Sequence, residues 1–183
     1  MSIDLETLKN IKEKYGCEIF FETGFYVGKR FGYALEAGFD KVLSIELLQD
    51  FVNNGNRKFS DDISSGRAKI ILDDSANMAR HLKPFSDRKI LFWLDAHLDN
   101  GLGSAVTHPK EYCPLSHELQ AIKDIMRIRP IILIDDLRII KANIDWGYGY
   151  NLDDILKKVY DIDATYTIDY IDGTVEKDIL IAY

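Results

Sequence analysis

Cysteine is scarce in this chain: the 183 residues hold 2, Cys17 and Cys113. That is too few for a disulfide framework, and Cys17 reads as a small buried side chain. Proline is scarce as well, at 4 residues, and there is no Ser/Gly-rich tract, internal repeat or low-complexity segment to mark a linker. The longest apolar runs, such as Pro130 to Ile134, fall far short of the roughly 20 residues that cross a bilayer. The opening Met1-Ser-Ile-Asp-Leu-Glu lacks the basic-then-apolar order of a secretion signal. These absences point to a soluble, cytoplasmic protein with no membrane partner. Positive charge is also in deficit. The 23 Lys and Arg stand against 30 Asp and Glu, a net charge of −7, with both signs interspersed. A broad nucleic-acid surface rests on neutralising phosphates and is therefore not expected. A small-molecule or sugar partner fits better, and homo-oligomer formation stays open.

What is present is 46% apolar content, enough over this length for one well-buried domain spanning residues 1–183. The chain is organised around Cys17-Glu-Ile-Phe-Phe-Glu-Thr-Gly-Phe-Tyr-Val-Gly28. Ile19 to Phe21 reads as a short strand buried on both faces, Glu22 stands at its carboxyl end, and Gly24 and Gly28 allow a tight turn close to a ligand. A helix opens at Gly28, lays Phe31, Ala34 and Leu35 on a sheet, and closes at Gly38. Before it, Leu5, Leu8 and Ile11 make residues 1–16 an amphipathic N-terminal helix that packs on the sheet edge or covers a cofactor.

The same alternation continues. Lys41 to Glu46 is a second strand, followed by a helix from Leu48 to Phe59. Ala68 to Leu72 is a third strand, ending in Asp73-Asp74-Ser75, with Ser75 capping a helix from Ala76 that ends near Pro84. Lys89 to Asp95 and Pro130 to Asp135 are apolar runs expected at the centre of a parallel sheet, with a helix from Leu115 to Arg127 between them. Asn151 caps a helix over Leu152 to Tyr160. Thr165 to Tyr170 and Val175 to Tyr183 then flank the hairpin signal Asp172-Gly173. The expected fold is α/β: a Rossmann-like three-layer sandwich with a mostly parallel sheet of about seven strands, ending in an antiparallel β-hairpin.

In such a sheet a ligand lies across the carboxyl ends of the strands, where Glu22, Glu46, Asp74 and Asp95 would gather. Glu46 follows Glu22 by 24 residues, the spacing at which an acid grips the hydroxyls of a ribose. The plainer alternative is that Glu46 caps the next helix. Tyr26 stands where a dinucleotide site needs a middle glycine, which argues against a pyrophosphate ligand.

Glu22-x-Gly24-x-x-x-Gly28 resembles the first motif of class I, Rossmann-type S-adenosylmethionine (SAM) methyltransferases, apart from Tyr26. The order Phe-Glu-Thr-Gly, Ser-Ile-Glu, Asp-Ser, Phe-Trp-Leu-Asp-Ala-His, Cys-Pro-Leu with a Glu-Leu helix, and Ile-Asp-Asp resembles small SAM-dependent methyltransferase-like proteins over roughly residues 18–138. The paired acids also resemble those of cation-dependent O-methyltransferases that act on catechols and macrolide sugars. The resemblance implies SAM held by Glu22, Thr23, Gly24, Tyr26, Gly28, Glu46, Asp74, Ser75 and Asp95, with Asp74 on the adenine amino group. It implies Mg2+, or another divalent cation, on Asp95, Asp135 and Asp136. The lysine or histidine base of those enzymes has no certain counterpart, and His97 and Asp95 are the candidate catalytic residues.

A hydroxyl is a poor nucleophile until its proton is removed or its pKa lowered, and a hard divalent ion on oxygen ligands does both. Alternatively, Asp135 caps the following segment and Asp136 bonds to Arg138. His97, His108, Cys113 and His117 fit no compact zinc motif. The loops 98–114 and 139–150, the latter with Trp146, Tyr148 and Tyr150, are the expected substrate-side walls. The alternative functions are a metal-dependent phosphoester hydrolase and a non-catalytic SAM-fold binding or assembly module.

Overall fold

A computed structural model describes residues 3–97, 113–142 and 151–183. Its seven-stranded sheet runs β3-β2-β1-β4-β5-β7-β6. The strands are β1 Ile19–Thr23, β2 Lys41–Glu46, β3 Ala68–Leu72, β4 Ile90–Leu94, β5 Ile131–Ile134, β6 Ile168–Ile171 and β7 Ile179–Ala182. The first five pair in parallel, while β7 runs antiparallel to both β5 and β6. The expected α/β sandwich with an antiparallel end is therefore the observed fold.

Every residue of β1, β4 and β5 is buried, as central parallel strands covered on both faces require. Alternate side chains feed two cores. Phe20, Leu91, Trp93 and Leu133 pack with Leu8 and Ile11 of α1 (Leu5–Tyr15), Phe31 and Ala34 of α2 (Lys29–Glu36) and Val52 of α3 (Gln49–Lys58). Phe21, Phe92, Ile132 and Ile134 pack on the other face with Leu82, Leu119, Ile122, Ile155 and Val159. Burying one such side chain contributes about 1.5–3 kcal/mol. The chain moves outward from β1 through β2 to β3 and then returns to β4 on the other side of β1. That reversal opens a crevice at the carboxyl ends, where this architecture binds ligands.

Several local expectations are corrected. α1 starts at Asp4, whose side chain accepts from Thr7 N at 2.8 Å, and it packs beside α2 into one face of the sheet, not on an edge strand. The helix after β2 is interrupted at Phe59 and resumes as α4, Ser60–Ser64. The helix expected from Ala76 is three short pieces: a 3₁₀ turn Ser75–Asn77, α5 Ala79–Leu82 and a 3₁₀ turn Lys83–Phe85. Pro84 has no amide to continue an α-helix, and Asp73 and Asp74 draw the amides of Asp74 and Ala76 onto their side chains. The cap is thus Asp74, whose Oδ1 accepts from Ala76 N at 2.9 Å, and not Ser75.

α6 spans Leu115–Ile125 and α7 spans Leu137–Ala142. α8, Leu152–Ile162, begins with a capping box between Asn151 and Asp154. The last two strands form the expected hairpin, but residues 172–178 join them in place of a tight turn at Asp172-Gly173, because Asp172 and Asp178 bond loop amides of Lys177 and Thr174. His108, Trp146, Tyr148 and Tyr150, and with them most of both expected substrate walls, lie outside the described residues.

Candidate functional site

The acid at the end of β2 is held in place by backbone. Glu46 Oε2 accepts from Tyr26 N at 2.9 Å and Oε1 from Leu48 N at 2.8 Å. Two carboxylate oxygens offer about four acceptor positions, so each keeps one for a ligand hydroxyl. The capping alternative is thereby partly met, since the Leu48 amide leads into α3. Tyr26 meets Glu46 through its amide in a left-handed conformation, φ 50°. Its exposed ring leans onto Phe51, 5.1 Å between centroids.

The two turn glycines are required by the chain's own packing. A Cβ on Gly24, at φ 83°, would stand 2.9 Å from the Asp95 carbonyl oxygen and 3.2 Å from Ala96 Cα. One on Gly28, at φ 69°, would run into the Phe25 ring. The first turn is thus pressed directly against the end of β4, which brings Asp95 close to the β1 turn.

Glu22 and Thr23 are adjacent on β1 and so point to opposite faces of the sheet. Glu22 is 1% exposed, and among the described residues its Oε1 has no hydrogen-bond partner. Burial holds its carboxyl well above the usual range, and the nearby Ser44 hydroxyl and Arg30 only partly oppose this. Arg30, in the first turn of α2, lies over the Trp93 ring at 5.7 Å, with Nη2 3.8 Å from Asp135 Oδ2.

The ends of β4 and β5 carry the crowded acids. Asp95 accepts from Trp93 Nε1 at 3.4 Å, and its own amide donates to Thr23 Oγ1 at 3.4 Å. Burial raises its pKa well above the usual range; Asp135 and Asp136 add to this, and Arg30 opposes it. His97 lies between the two strands, with Nδ1 3.7 Å from Asp95 Oδ1 and Nε2 3.9 Å from Asp136 Oδ2. Asp136, left-handed at φ 61°, donates its amide to Asp135 Oδ1 at 2.8 Å. Arg138 bonds Asp136, as the alternative expected, and the buried Asp178 of the hairpin loop. The Arg138 amide donates to Asp178 Oδ1 at 2.9 Å, so Asp178 and not Asp135 caps the segment after β5.

Ligand atoms come together in two sets among the described residues. Asp95, His97 and Asp136 form one, and Asp135, Asp136 and Asp178 the other, each within 4.8 Å. Asp136 belongs to both sets. The expected trio of Asp95, Asp135 and Asp136 is not one of these sets, because Asp95 and Asp135 fall in different ones. Asp178 could not be read from the sequence because it comes from the far end of the chain.

Asp74 and Ser75 follow β3. Asp74 is engaged as the cap, and Ser75 is buried. With Thr23, Ser75 turns its hydroxyl toward Glu118 on α6, favouring that acid's charged form. Glu118 is 1% exposed; burial pushes its carboxyl up to about 7, and among the described residues its Oε1 has no hydrogen-bond partner. Sequence reasoning missed it, though an acid among Leu115, Leu119 and Ile122 sits on the apolar stripe of a helix. Arg30 was missed too; a cation in a helix's first turn opposes the dipole and is a signal worth reading.

No protein-family model matches the chain, and no curated protein matches it. Solved structures do resemble it. The S-adenosylhomocysteine (SAH)-bound methyltransferase PaMTH1 of Podospora anserina has a TM-score of 0.63 at 15% identity, covering 100% of this chain and 79% of that one. An O-methyltransferase of Bacillus cereus in complex with SAH gives 0.63 at 11% identity, over 97% and 79%. The O-methyltransferase TomG of Streptomyces achromogenes, involved in tomaymycin synthesis and solved with SAM, gives 0.60 at 12%, over 97% and 78%. The fold is the one these methyltransferases share. No described helix is long and apolar enough to cross a membrane.

Proposed function

We propose that this chain is a SAM-dependent methyltransferase that methylates a hydroxyl of a small molecule or sugar, with a divalent cation such as Mg2+ at the ends of β4 and β5. The observation that carries the reading is the preorganised Glu46, whose two oxygens are aimed by the Tyr26 and Leu48 amides and can accept both hydroxyls of a ribose. Glu46 stands beside the crevice between β1 and β4, in the fold of the SAH-bound structures above.

The bound cofactor would supply an electrophilic methyl group on a sulfonium. The chain's own task is to hold an acceptor oxygen in line with it and to take its proton. His97, between Asp95 and Asp136, is placed to receive that proton, and the carboxylates stabilise the resulting imidazolium. A divalent ion on Asp95, Asp135 and Asp136 would lower the pKa of the acceptor hydroxyl. The oxygen donors suit a hard cation, and Asp135 and Asp136 add to the raised pKa of Asp95. Arg30 and Arg138 already supply counter-charge. That observation supports a second reading, a metal-free transferase or non-catalytic binding module built on the same scaffold.

Calorimetric titration with SAM and SAH, with and without Mg2+, tests both readings. Cofactor binding that survives chelation, with methyl transfer abolished by the chelator and by Asp135→Asn, supports the metal-assisted enzyme. Transfer that persists after exhaustive chelation removes the metal, and absence of SAM and SAH binding removes the methyltransferase reading.

A further inference from the structure

Glu118 has no place in the proposed reaction, yet it is the acid that the fold encloses most completely on the α6 face. We propose that Glu118 Oε1 accepts a hydrogen bond from the exocyclic amino group of the cofactor's adenine, an assignment that rests on the SAM reading of the site.

The unmade hydrogen bond comes first. Among the described residues Oε1 is buried without a hydrogen-bond partner, and an unsatisfied buried acceptor is costly, so a donor from outside the chain would be bound with gain.

Position comes second. The Thr23 and Ser75 hydroxyls act on the Glu118 carboxyl, which puts it between the end of β1 and the turn after β3. These elements flank β2, whose end carries Glu46. An acceptor for adenine belongs beside the acceptor for its ribose. Glu118 also lines a cavity of about 20 Å³ with Leu94, Asp95, Ala96 and His97 at the end of β4. That volume holds one water or one amino group and not an aromatic ring.

The third observation is that Asp74, the residue expected to take the amino group, has its Oδ1 on the Ala76 amide. Asp74 is thus partly engaged, and the neighbouring Asp73 accepts from His81, Asn77 and the Asp74 amide, which outweigh burial and bring its carboxyl below its ordinary value.

The chemistry is selective. An adenine amino group donates to a carboxylate, whereas a 6-oxo purine presents an oxygen that a carboxylate repels. A site built to pair a polar group discriminates strongly against the analogue that lacks it. The test is calorimetric binding of SAH and of S-inosylhomocysteine, its 6-oxo analogue, to the full chain at about pH 8.5, where the Glu118 carboxyl is ionised. The wild type should prefer SAH by about tenfold or more, and Glu118→Gln, which can turn an amide donor toward the oxygen, should erase or reverse that preference. Equal wild-type affinities overturn the assignment, whether or not the variant folds. A preference kept in Glu118→Gln and lost in Asp74→Asn gives the amino group to Asp74 and overturns it as well. SAH binding in the wild type with an unchanged ratio in Glu118→Gln rejects this inference alone, while no SAH binding at all rejects the cofactor reading beneath it.

Discussion

At the end of β2, Glu46 is held by two amides at 2.9 and 2.8 Å. At the ends of β4 and β5, Asp95, Asp135 and Asp136 stand close enough to raise the pKa of Asp95, and the guanidinium groups of Arg30 and Arg138 face them. Both regions are acidic and both lie on the carboxyl edge of one sheet. The difference is in what holds the charge. Amides fix Glu46 in one direction without neutralising it, which suits a neutral diol. The crowded acids gain from any cation, whether a proton, an arginine or a metal ion. Under the proposed function, the first region serves recognition and the second chemistry.

The sharpest way to break this comparison is at His97. If the crowded region performs the chemistry, His97→Ala should slow methyl transfer by about 10²–10⁴-fold, the usual contribution of a general base, and leave SAH affinity unchanged in calorimetry. Loss of SAH binding with an unaltered rate at saturation would reverse the roles of the two regions.

Proton linkage gives the next largest effect. Glu118 binds its proton more tightly folded than unfolded, since burial carries it from 4.5 to about 7. Between those values the folded state is protonated and the unfolded state is not, so stability falls as pH rises from about 4.5 to about 7 and then levels off. The shift corresponds to about 3 kcal/mol. The raised Glu22 and Asp95 act in the same sense. Urea denaturation at about pH 5 and pH 8 should therefore show less loss for Glu118→Gln than for the wild type. Equal loss in the two proteins removes Glu118 from the account.

At the amide-held end, Glu46→Ala should weaken SAH by about 1–3 kcal/mol, the value of charge-assisted hydrogen bonds. It should also lower the thermal midpoint, because the Tyr26 and Leu48 amides lose their acceptor. Unchanged affinity would separate this acid from the cofactor. The smallest effect belongs to Tyr26→Gly. Relief of the left-handed conformation, about 1–2 kcal/mol, is set against loss of the ring contact with Phe51, about 0.5–1.5 kcal/mol. Stability measured by denaturation should stay within about 1 kcal/mol of the wild type. A larger loss would show that the ring holds the turn together.

Much of the fold was legible because its signals are local. Short apolar runs such as Ile90 to Leu94, rich in aromatic and branched residues, read as central strands, and the acids that end them follow directly in sequence. The break of the helix after β3 was less legible. Pro84 marked its end, but the competition of Asp73 and Asp74 for nearby amides depends on side-chain geometry that a periodic pattern does not carry. In the site, the Arg138 partner of Asp136 was readable because it lies within a few residues. Asp178, which shares Arg138 with Asp136, and Arg30, which reaches Asp135, arrive from distant segments.

By itself the sequence determined the alternation of strands and helices, the acids at strand ends and the antiparallel close. Each of these is written in period, spacing and turn chemistry within a short window. Only the tertiary structure decided which way those acids look and what meets them. Neighbours on a strand face opposite sides of the sheet, so Glu22 and Thr23 part company. Thr23 joins Ser75 at Glu118, while Glu22 shares a face with Ser44 and Arg30. Pairing register and helix packing set those meetings, and they bring together residues that no local pattern connects.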